Sequence, residues 1–201
     1  ENLVRSFHGV ILTPRKPLKK LIMLDRKKKI EIWSADECHF QQHGSRCVMW
    51  IPPEEKDPIV FQEPTRFHTS VFGAVNVRTG KFVHQMSETF NAQTFLEFLE
   101  KILAARVNKK IIHLILDNSR YHHARLLTPW LEKHKDEIVL EFLPPYSPQL
   151  NPIERVWKQT RQKATHNRYF SAITDLIDAV QTLFSHWDQP NTDLVTLCTI
   201  I

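Results

Sequence analysis

The sequence has few of the features that mark secreted or membrane proteins. It has only three cysteines in 201 residues, Cys38, Cys47 and Cys198, and no two of them form a CxxC pair. Such sparse cysteines argue against a disulfide framework and favour a reducing, intracellular location. No apolar run approaches the roughly 20 residues that cross a bilayer, and the first residues lack the apolar stretch of a signal peptide. We therefore expect a cytoplasmic protein with no membrane partner.

Positive charge is concentrated near the start of the sequence. The formal net charge is +5, yet residues 1–29 hold nine Lys or Arg and only two acidic residues, a net of +7. Because this segment contains two prolines and no sustained period, we interpret 1–29 as a basic arm or linker and 30–201 as one domain. A second basic cluster follows Glu154, and such clusters favour a nucleic-acid partner, although a solvated surface explains either cluster alone equally well. The residues predicted to contact the nucleic acid are Lys27, Lys28, Lys29, Arg155, Lys158 and Arg161.

Apolar periodicity divides the region 30–201 into strands and helices. The nearly continuous apolar run at 111–116 predicts a strand that is buried on both faces, and apolar residues recur at helical spacing within 91–106. Early hairpin strands followed by alternating helices and strands predict an α/β domain, in which helices cover the faces of a mixed sheet. The predicted strands are 29–36, 46–51, 67–77, 81–86, 111–116 and 138–143. The predicted helices are 91–106, 122–135, 151–166 and 171–187.

Three acidic residues stand at the ends of these predicted elements. Asp36 and Asp117 each end an apolar strand, and Glu154 lies in the first turn of a helix that follows a proline-rich loop. Because functional groups gather beyond the carboxyl ends of strands in open α/β sheets, we expect the three carboxylates to converge. Hard oxygen ligands of this kind suit Mg²⁺ or Mn²⁺.

Each of these acidic residues also has a simpler explanation when it is taken singly. Asp36 is explained as a strand-end residue that faces water, and Asp117 as part of a turn. Glu154 is explained as a capping-box residue whose side chain reaches back to the backbone of Asn151.

The periodicity of the Glu154 helix separates two of its faces. Glu154, Lys158 and Arg161 share one side of the helix at spacings of four and three. The two cations are either ion-pair partners of Glu154 or contacts to substrate phosphates. The neighbouring face is predicted to lie in the core and comprises Ile153, Val156, Trp157, Thr160 and Ala164.

Three segments of the sequence together form a specific pattern. They are Ser34-Ala35-Asp36-Glu37, Leu114-Ile115-Leu116-Asp117-Asn118 followed by Tyr121-His122, and Leu143-Pro144-Pro145-Tyr146-Ser147-Pro148 through Asn151-Pro152-Ile153-Glu154. The pattern resembles the catalytic domain of DDE transposases of the mariner type, and especially their bacterial insertion-sequence relatives. The 36 residues between Asp117 and Glu154 are close to the spacing typical of that group. The resemblance extends over about residues 30–190.

This resemblance implies both a fold and an activity. The implied fold is RNase H-like, an α/β fold with a mixed five-stranded sheet flanked by helices. The implied site holds two divalent ions, Mg²⁺ or Mn²⁺, on Asp36, Asp117 and Glu154, and carries out DNA cleavage and strand transfer by two-metal phosphoryl transfer. Asn118 and His122 would orient a ligand or contact DNA from beside Asp117.

The implied partners are DNA, as transposon ends and as target, and further copies of the chain in a homodimer or larger assembly. Such a protein would associate with the nucleoid. Enzymes of this kind carry a helix-turn-helix region that reads the element ends, and this sequence does not contain it unless residues 1–29 are its trailing edge.

Three alternatives remain open at this stage. A zinc site is conceivable because Cys38, His39, His43 and Cys47 lie close in sequence, although their spacing matches no common zinc finger. The chain is alternatively an inactive or co-opted DNA-binding and assembly module. It is otherwise an RNase H-like nuclease that performs no strand transfer.

Overall fold

A mixed five-stranded sheet forms the centre of the protein. The computed structural model describes residues 18–27, 29–54, 59, 61–106, 110–145 and 147–199. The strands are β1 (Ile30–Gln41), β2 (His68–Asn76), β3 (Phe82–Met86), β4 (Ile111–Leu116) and β5 (Ile138–Phe142), in the spatial order β3-β2-β1-β4-β5. β2 and β3 run antiparallel to their neighbours, whereas β4 and β5 extend the sheet parallel to β1. The predicted RNase H-like class with a mixed five-stranded sheet is confirmed.

Helices cover both faces of this sheet. The helices are α1 (Leu18–Arg26), α2 (Ala92–Ala104), α3 (Thr128–Lys133), α4 (Ile153–Thr160), α5 (Ile173–Ser185) and α6 (Thr192–Cys198). One buried cluster joins α2 and the segment before α3 to the sheet, and a second joins α4, α5 and α6 to the opposite face. A smaller third cluster joins α1 to β1, β4 and the end of β5.

The alternation of β1 decides which face each of its side chains reaches. Trp33 and Ala35 pack in the α2 cluster, whereas Cys38 and Phe40 pack in the α4 cluster. Because successive strand residues point to opposite faces, even-numbered residues of β1 face α4 and odd-numbered residues face α2. The adjacent acidic residues that follow Ala35 therefore lie on opposite faces.

Most of the predicted elements agree with the structure. The hairpin of β2 and β3 and the helix α2 are confirmed, and α2 begins at the predicted Asn91, whose side chain accepts hydrogen bonds from the backbone N–H groups of Gln93 and Thr94 at 2.9 and 3.0 Å. β1 extends five residues beyond its predicted end because its distal half pairs with β2 alone.

The segment 18–26 is helical, whereas the sequence predicts a basic arm or linker there. Leu21 of α1 is buried against Ile30 and Ile32, and Asp25 pairs with Arg78 at 3.3 Å. A helix of nine residues is marginal alone, and packing of its apolar residues on the sheet stabilises it. This part of the chain therefore packs onto the sheet.

Two further predictions are wrong in detail. Residues 46–51 form no strand, and the side chains of Val48 and Trp50 are fully exposed. The predicted helix 122–135 is reduced to α3, preceded by two 3-10 turns, because Pro129 fits only the first turn of a helix. α6 was not predicted.

No helix among the residues described above is long and apolar enough to cross a membrane.

Candidate active site

The three predicted carboxylates line one open cavity at the edge of the sheet. Asp36, Asp117 and Glu154 all border this space, which has a volume of about 490 Å³. The parallel register pairs Ser34 of β1 with Ile115 of β4, which puts Asp36 level with Asp117 on the neighbouring strand. Asp36 therefore lies where the parallel pairing ends, although β1 itself continues. The predicted convergence of the three side chains on one cavity agrees with the structure.

A buried polar junction holds the start of α4 against β1. The hydroxyl of Ser34 donates to the side-chain oxygen of Asn151 and accepts from the backbone N–H of Ile153 at 3.1 Å. The side-chain amide of Asn151 donates to the backbone oxygen of Ala35 at 3.3 Å. Because both Ser34 and Asn151 are buried, this junction is shielded from water, and it places Glu154 beside Asp36.

The capping explanation for Glu154 is wrong. Its backbone N–H donates to the oxygen of Asn151 at 3.2 Å, but the N-cap of α4 is Pro152 and no capping box is formed there. Within the described part of the chain, Glu154 forms no ion pair, so neither Lys158 nor Arg161 is its ion-pair partner. Its carboxylate is half-buried at the cavity wall and available to a ligand.

The electrostatics of Asp36 indicate a concentration of negative charge. Burial, reinforced by the carboxylates of Glu37 and Glu154, raises the pKa of Asp36 to about 8. Carboxylates that disfavour each other's ionisation in this way form a site that a divalent cation would neutralise. The oxygen-only donor set of Asp36, Asp117 and Glu154 fits Mg²⁺ or Mn²⁺.

Asp117 is held in place although its side chain is exposed. Its Oδ1 accepts from the backbone N–H of Ser119 at 3.0 Å and lies 3.2 Å from Nδ1 of His122, and its Oδ2 accepts from the Ser119 hydroxyl at 3.0 Å. The hydrogen bond from His122 is the main cause that lowers the pKa of Asp117 to about 2. Asp117 is therefore ionised and oriented before any ligand arrives.

Glu37 is an additional acidic residue beside the site that the sequence pattern does not predict. Its Oε1 accepts a hydrogen bond from the Tyr121 hydroxyl and lies 3.2 Å from Nε2 of His122. The available signal was the strand period, which sends Glu37 to the face opposite Asp36 and toward the segment after Asp117.

Two sets of residues are geometrically able to attract a metal ion, and they share Asp117. Within the described residues, the single group of three side chains whose ligand atoms all lie within 4.8 Å is Glu37, Asp117 and His122. Each ring nitrogen of His122 already lies within hydrogen-bond distance of one of these carboxylates, so neither nitrogen is free to bind a metal. This group is better described as a hydrogen-bonded chain, and the carboxylates of the cavity are the better metal ligands.

Comparison with known proteins agrees with this geometry. A family model described as a DDE superfamily endonuclease matches residues 31–177. The chain belongs to this family. An uncharacterized protein of Sinorhizobium fredii, y4pE/y4sA, is 36% identical over 107 residues, which are 53% of this chain and 76% of that protein. The insertion element IS630 uncharacterized 39 kDa protein of Shigella sonnei is 29% identical over 109 residues, which are 54% of this chain and 32% of that protein.

Solved structures of the Mos1 transposase share the fold of this DDE-family chain. The Mos1 paired-end complex with the left transposon end has a TM-score of 0.64 at 16% identity, covering 98% of this chain and 62% of that chain. The Mos1 mariner paired-end complex with Mn has a TM-score of 0.61 at 17% identity, covering 97% of this chain and 62% of that chain. The chain thus spans less than two thirds of Mos1 and about a third of the IS630 protein. The family model therefore shows the DDE superfamily, and the Mos1 structures show a shared fold.

The core face of α4 in this DDE-family chain is confirmed, but its three basic residues differ in surroundings. Arg155 donates to the backbone oxygens of Leu197 and Thr199 at 2.8 and 3.0 Å, which fastens the end of α6. Arg161 lies at the π-helical continuation of α4, where it donates to the Cys38 sulfur at 3.1 Å and covers the Phe40 ring at 5.9 Å. The side chain of Lys158 is exposed and makes no polar contact with another described residue.

The basic residues before β1 lie far from the cavity. Lys29 precedes β1, and at a strand rise of about 3.3 Å per residue the backbone needs about 23 Å to reach Asp36. Lys27 and Lys29 therefore lie at the other end of the strand, and Lys28 falls outside the described residues.

Asn118 has a structural role, and the residues considered as zinc ligands lie apart from one another. The Asn118 side chain donates to the backbone oxygen of Leu143 and so joins the ends of β4 and β5. Cys38 is buried beside Arg161, whereas His39 contacts Ser70 on the opposite face of β1. The exposed Cys47 bonds to Asn167 instead of to a ligand set. The proposed zinc ligands do not converge on one point among the described residues.

Proposed function

We propose that this chain is the catalytic part of a transposase that cleaves DNA strands and joins a freed 3′ end to target DNA. The observation that carries the proposal is the convergence of Asp36, Asp117 and Glu154 on one open cavity in a DDE-family chain. Because the cavity opens at the sheet edge, an extended DNA strand can reach the carboxylates without entering the core. Within such a reaction no covalent enzyme intermediate is required.

The three carboxylates would hold two divalent ions. When bound, such ions supply activation of the attacking oxygen and stabilisation of the leaving oxygen. The chain's own contribution is orientation: Ser34 and Asn151 hold the start of α4, and the hydrogen bonds of Asp117 hold its carboxylate. The raised pKa of Asp36 supports this proposal, because the clustered carboxylates favour a cation between them.

Lys158 is the best candidate for a DNA contact near the cavity. It lies one helical turn after Glu154, is exposed, and is not occupied by another described residue. Lys27, Lys28 and Lys29 would contact a more distant part of the DNA. We further propose that two or more copies act on paired DNA ends.

The proposal is tested by DNA cleavage with Mn²⁺. A supercoiled plasmid reports nicking, and a labelled oligonucleotide with a free 3′-hydroxyl reports joining to the plasmid. We expect both activities from the chain, extended by an upstream DNA-binding region where one exists, and neither from Asp36→Asn. Nicking without joining would indicate a nuclease, and DNA binding with neither reaction would indicate an inactive assembly module.

A further inference from the structure

We propose that Glu37 is a positioning residue that orients Asp117 through His122. The inference rests on the proposed function, because it assumes that Asp117 holds a metal ion. It adds Glu37 to the site formed by Asp36, Asp117 and Glu154. The role is to keep the ring of His122 turned toward Asp117.

The geometry forms a continuous chain from β1 to the end of β4. Glu37 Oε1 lies 3.2 Å from Nε2 of His122, and Nδ1 of the same ring lies 3.2 Å from Oδ1 and 3.4 Å from the backbone oxygen of Asp117. His122 is 3% exposed, so its ring is buried while the Asp117 carboxylate remains open to the cavity. Because one ring nitrogen faces Glu37 and the other faces Asp117, the two contacts together fix the plane of the ring.

Aromatic walls prevent the ring of His122 from turning away. The ring centroid lies 4.3 Å from that of Phe95 and 4.4 Å from that of Tyr121. The Tyr121 hydroxyl also donates to Glu37, which orients the carboxylate that holds the histidine. The Tyr121 hydroxyl and the His122 ring therefore meet at the same oxygen of Glu37.

Asp117 needs such support because of its place in the chain. It follows β4 directly and its side chain is 49% exposed, so the strand pairing of β4 does not fix its carboxylate. The Ser119 contacts come from its own loop, whereas the His122 contact links it to β1. Glu37 thereby couples the position of Asp117 to the strand that carries Asp36.

The strand period explains why one sequence pair serves both functions. Asp36 and Glu37 are consecutive, so Asp36 faces the α4 side with Glu154 and Glu37 faces the α2 side with His122. Asp36 therefore supplies a metal ligand directly, and Glu37 orients a second ligand, Asp117, from the opposite face of the strand.

The proposal is tested by Mn²⁺ titration calorimetry on the purified chain in a double-mutant cycle. Glu37→Gln and His122→Ala should each weaken Mn²⁺ binding by about 10–100-fold, which is the usual effect of removing a residue that orients a metal ligand. The double variant should bind no more weakly than the weaker single variant, because both substitutions break the same chain. Glu132→Gln, at an exposed position of α3, is the matched control for the loss of one negative charge and should bind as the wild type does.

The cycle separates positioning from simple charge attraction. If Glu37 acts only through its charge, Glu37→Gln weakens binding by the same factor in the His122→Ala background, and the proposal is overturned. Wild-type affinity in Glu37→Gln also overturns it. If His122→Ala does not fold, His122→Asn takes its place in the cycle. Failure of the wild type to bind Mn²⁺, or undiminished binding by Asp36→Asn, would instead contradict the proposed function.

Discussion

The hydroxyl of Ser34 on β1 donates a buried hydrogen bond to the side chain of Asn151, 117 residues later in the chain. The same hydroxyl accepts from the backbone N–H of Ile153, the first residue of α4. One small side chain therefore fixes where the helix begins relative to the strand. Because Asp36 and Glu154 lie two and three residues beyond these two partners, the junction also fixes the distance between two of the three carboxylates.

Removal of the Ser34 hydroxyl should destabilise the fold. Ser34→Ala leaves the Asn151 oxygen and the Ile153 N–H buried without their partner, which typically costs about 1–3 kcal/mol in the free energy of unfolding. Urea denaturation followed by circular dichroism measures this change. Ser185→Ala, at an exposed position of α5, serves as the control and should change stability by less than about 0.5 kcal/mol. Equal stability of the two variants would contradict a structural role for the junction.

Asp36 should oppose folding without metal and favour it with metal. Because burial and the neighbouring carboxylates disfavour ionised Asp36, Asp36→Asn should be at least as stable as the wild type in chelator. In Mn²⁺ at 100 times its dissociation constant, the wild type should gain about 2.7 kcal/mol of stability and Asp36→Asn much less. Thermal melting with and without Mn²⁺ provides the comparison. An equal gain in both proteins would place the metal elsewhere.

Close packing beneath α4 should make Gly73 intolerant of a side chain. A Cβ at Gly73 of β2 would lie 2.7 Å from Cζ2 of Trp157 and 3.2 Å from the Phe82 ring. Gly73→Ala should therefore destabilise the protein by about 1–3 kcal/mol, the usual cost of overpacking a core. It should also weaken Mn²⁺ binding, since Trp157 lies one turn after Glu154. Combining it with Trp157→Phe should recover part of the loss, and an unaffected single variant would show that α4 moves freely.

Lys158 and Arg155 should differ in what their removal changes. Lys158→Gln should leave stability unchanged and lower the salt slope of DNA binding by about one, as expected for loss of one phosphate contact. Arg155→Gln removes two hydrogen bonds to the end of α6 and should lower the free energy of unfolding by about 1 kcal/mol or more. Fluorescence anisotropy over a series of salt concentrations, with urea denaturation in parallel, distinguishes the two effects. A salt slope unchanged in Lys158→Gln would remove Lys158 from the DNA surface.

The face of α4 illustrates how far periodicity alone leads. Ile153, Val156 and Trp157 are fully buried as their spacing predicts, because the apolar stripe of an amphipathic helix is contained in its own sequence and packs toward the core. The same period groups Lys158 and Arg161 on one side, yet Arg161 is turned to Cys38 and Phe40 while Lys158 remains exposed. The spacing of residues along a helix does not predict which strand residues each helical side chain will contact.

The N-terminal segment illustrates the opposite limit. Leu21 is buried because β1 and β4 offer an apolar surface, and the apolar residues within 18–26 do not specify which surface the helix will pack on. The exposed segment 46–51 is the converse case, since its apolar residues have the composition of a strand but no neighbouring edge to pair with.

The sequence by itself determined the class of fold, the core face of α4 and the three carboxylates, because strand runs, helical period and a proline-rich loop are written in consecutive residues. The tertiary structure alone decided that Ser34 joins Asn151, that Glu37 reaches His122, and that Arg155 and Arg161 are occupied within the protein. These contacts join residues that lie from 42 to 123 positions apart. Local periodicity carries no information on such pairs, because they depend on how the sheet and its helices are arranged in space.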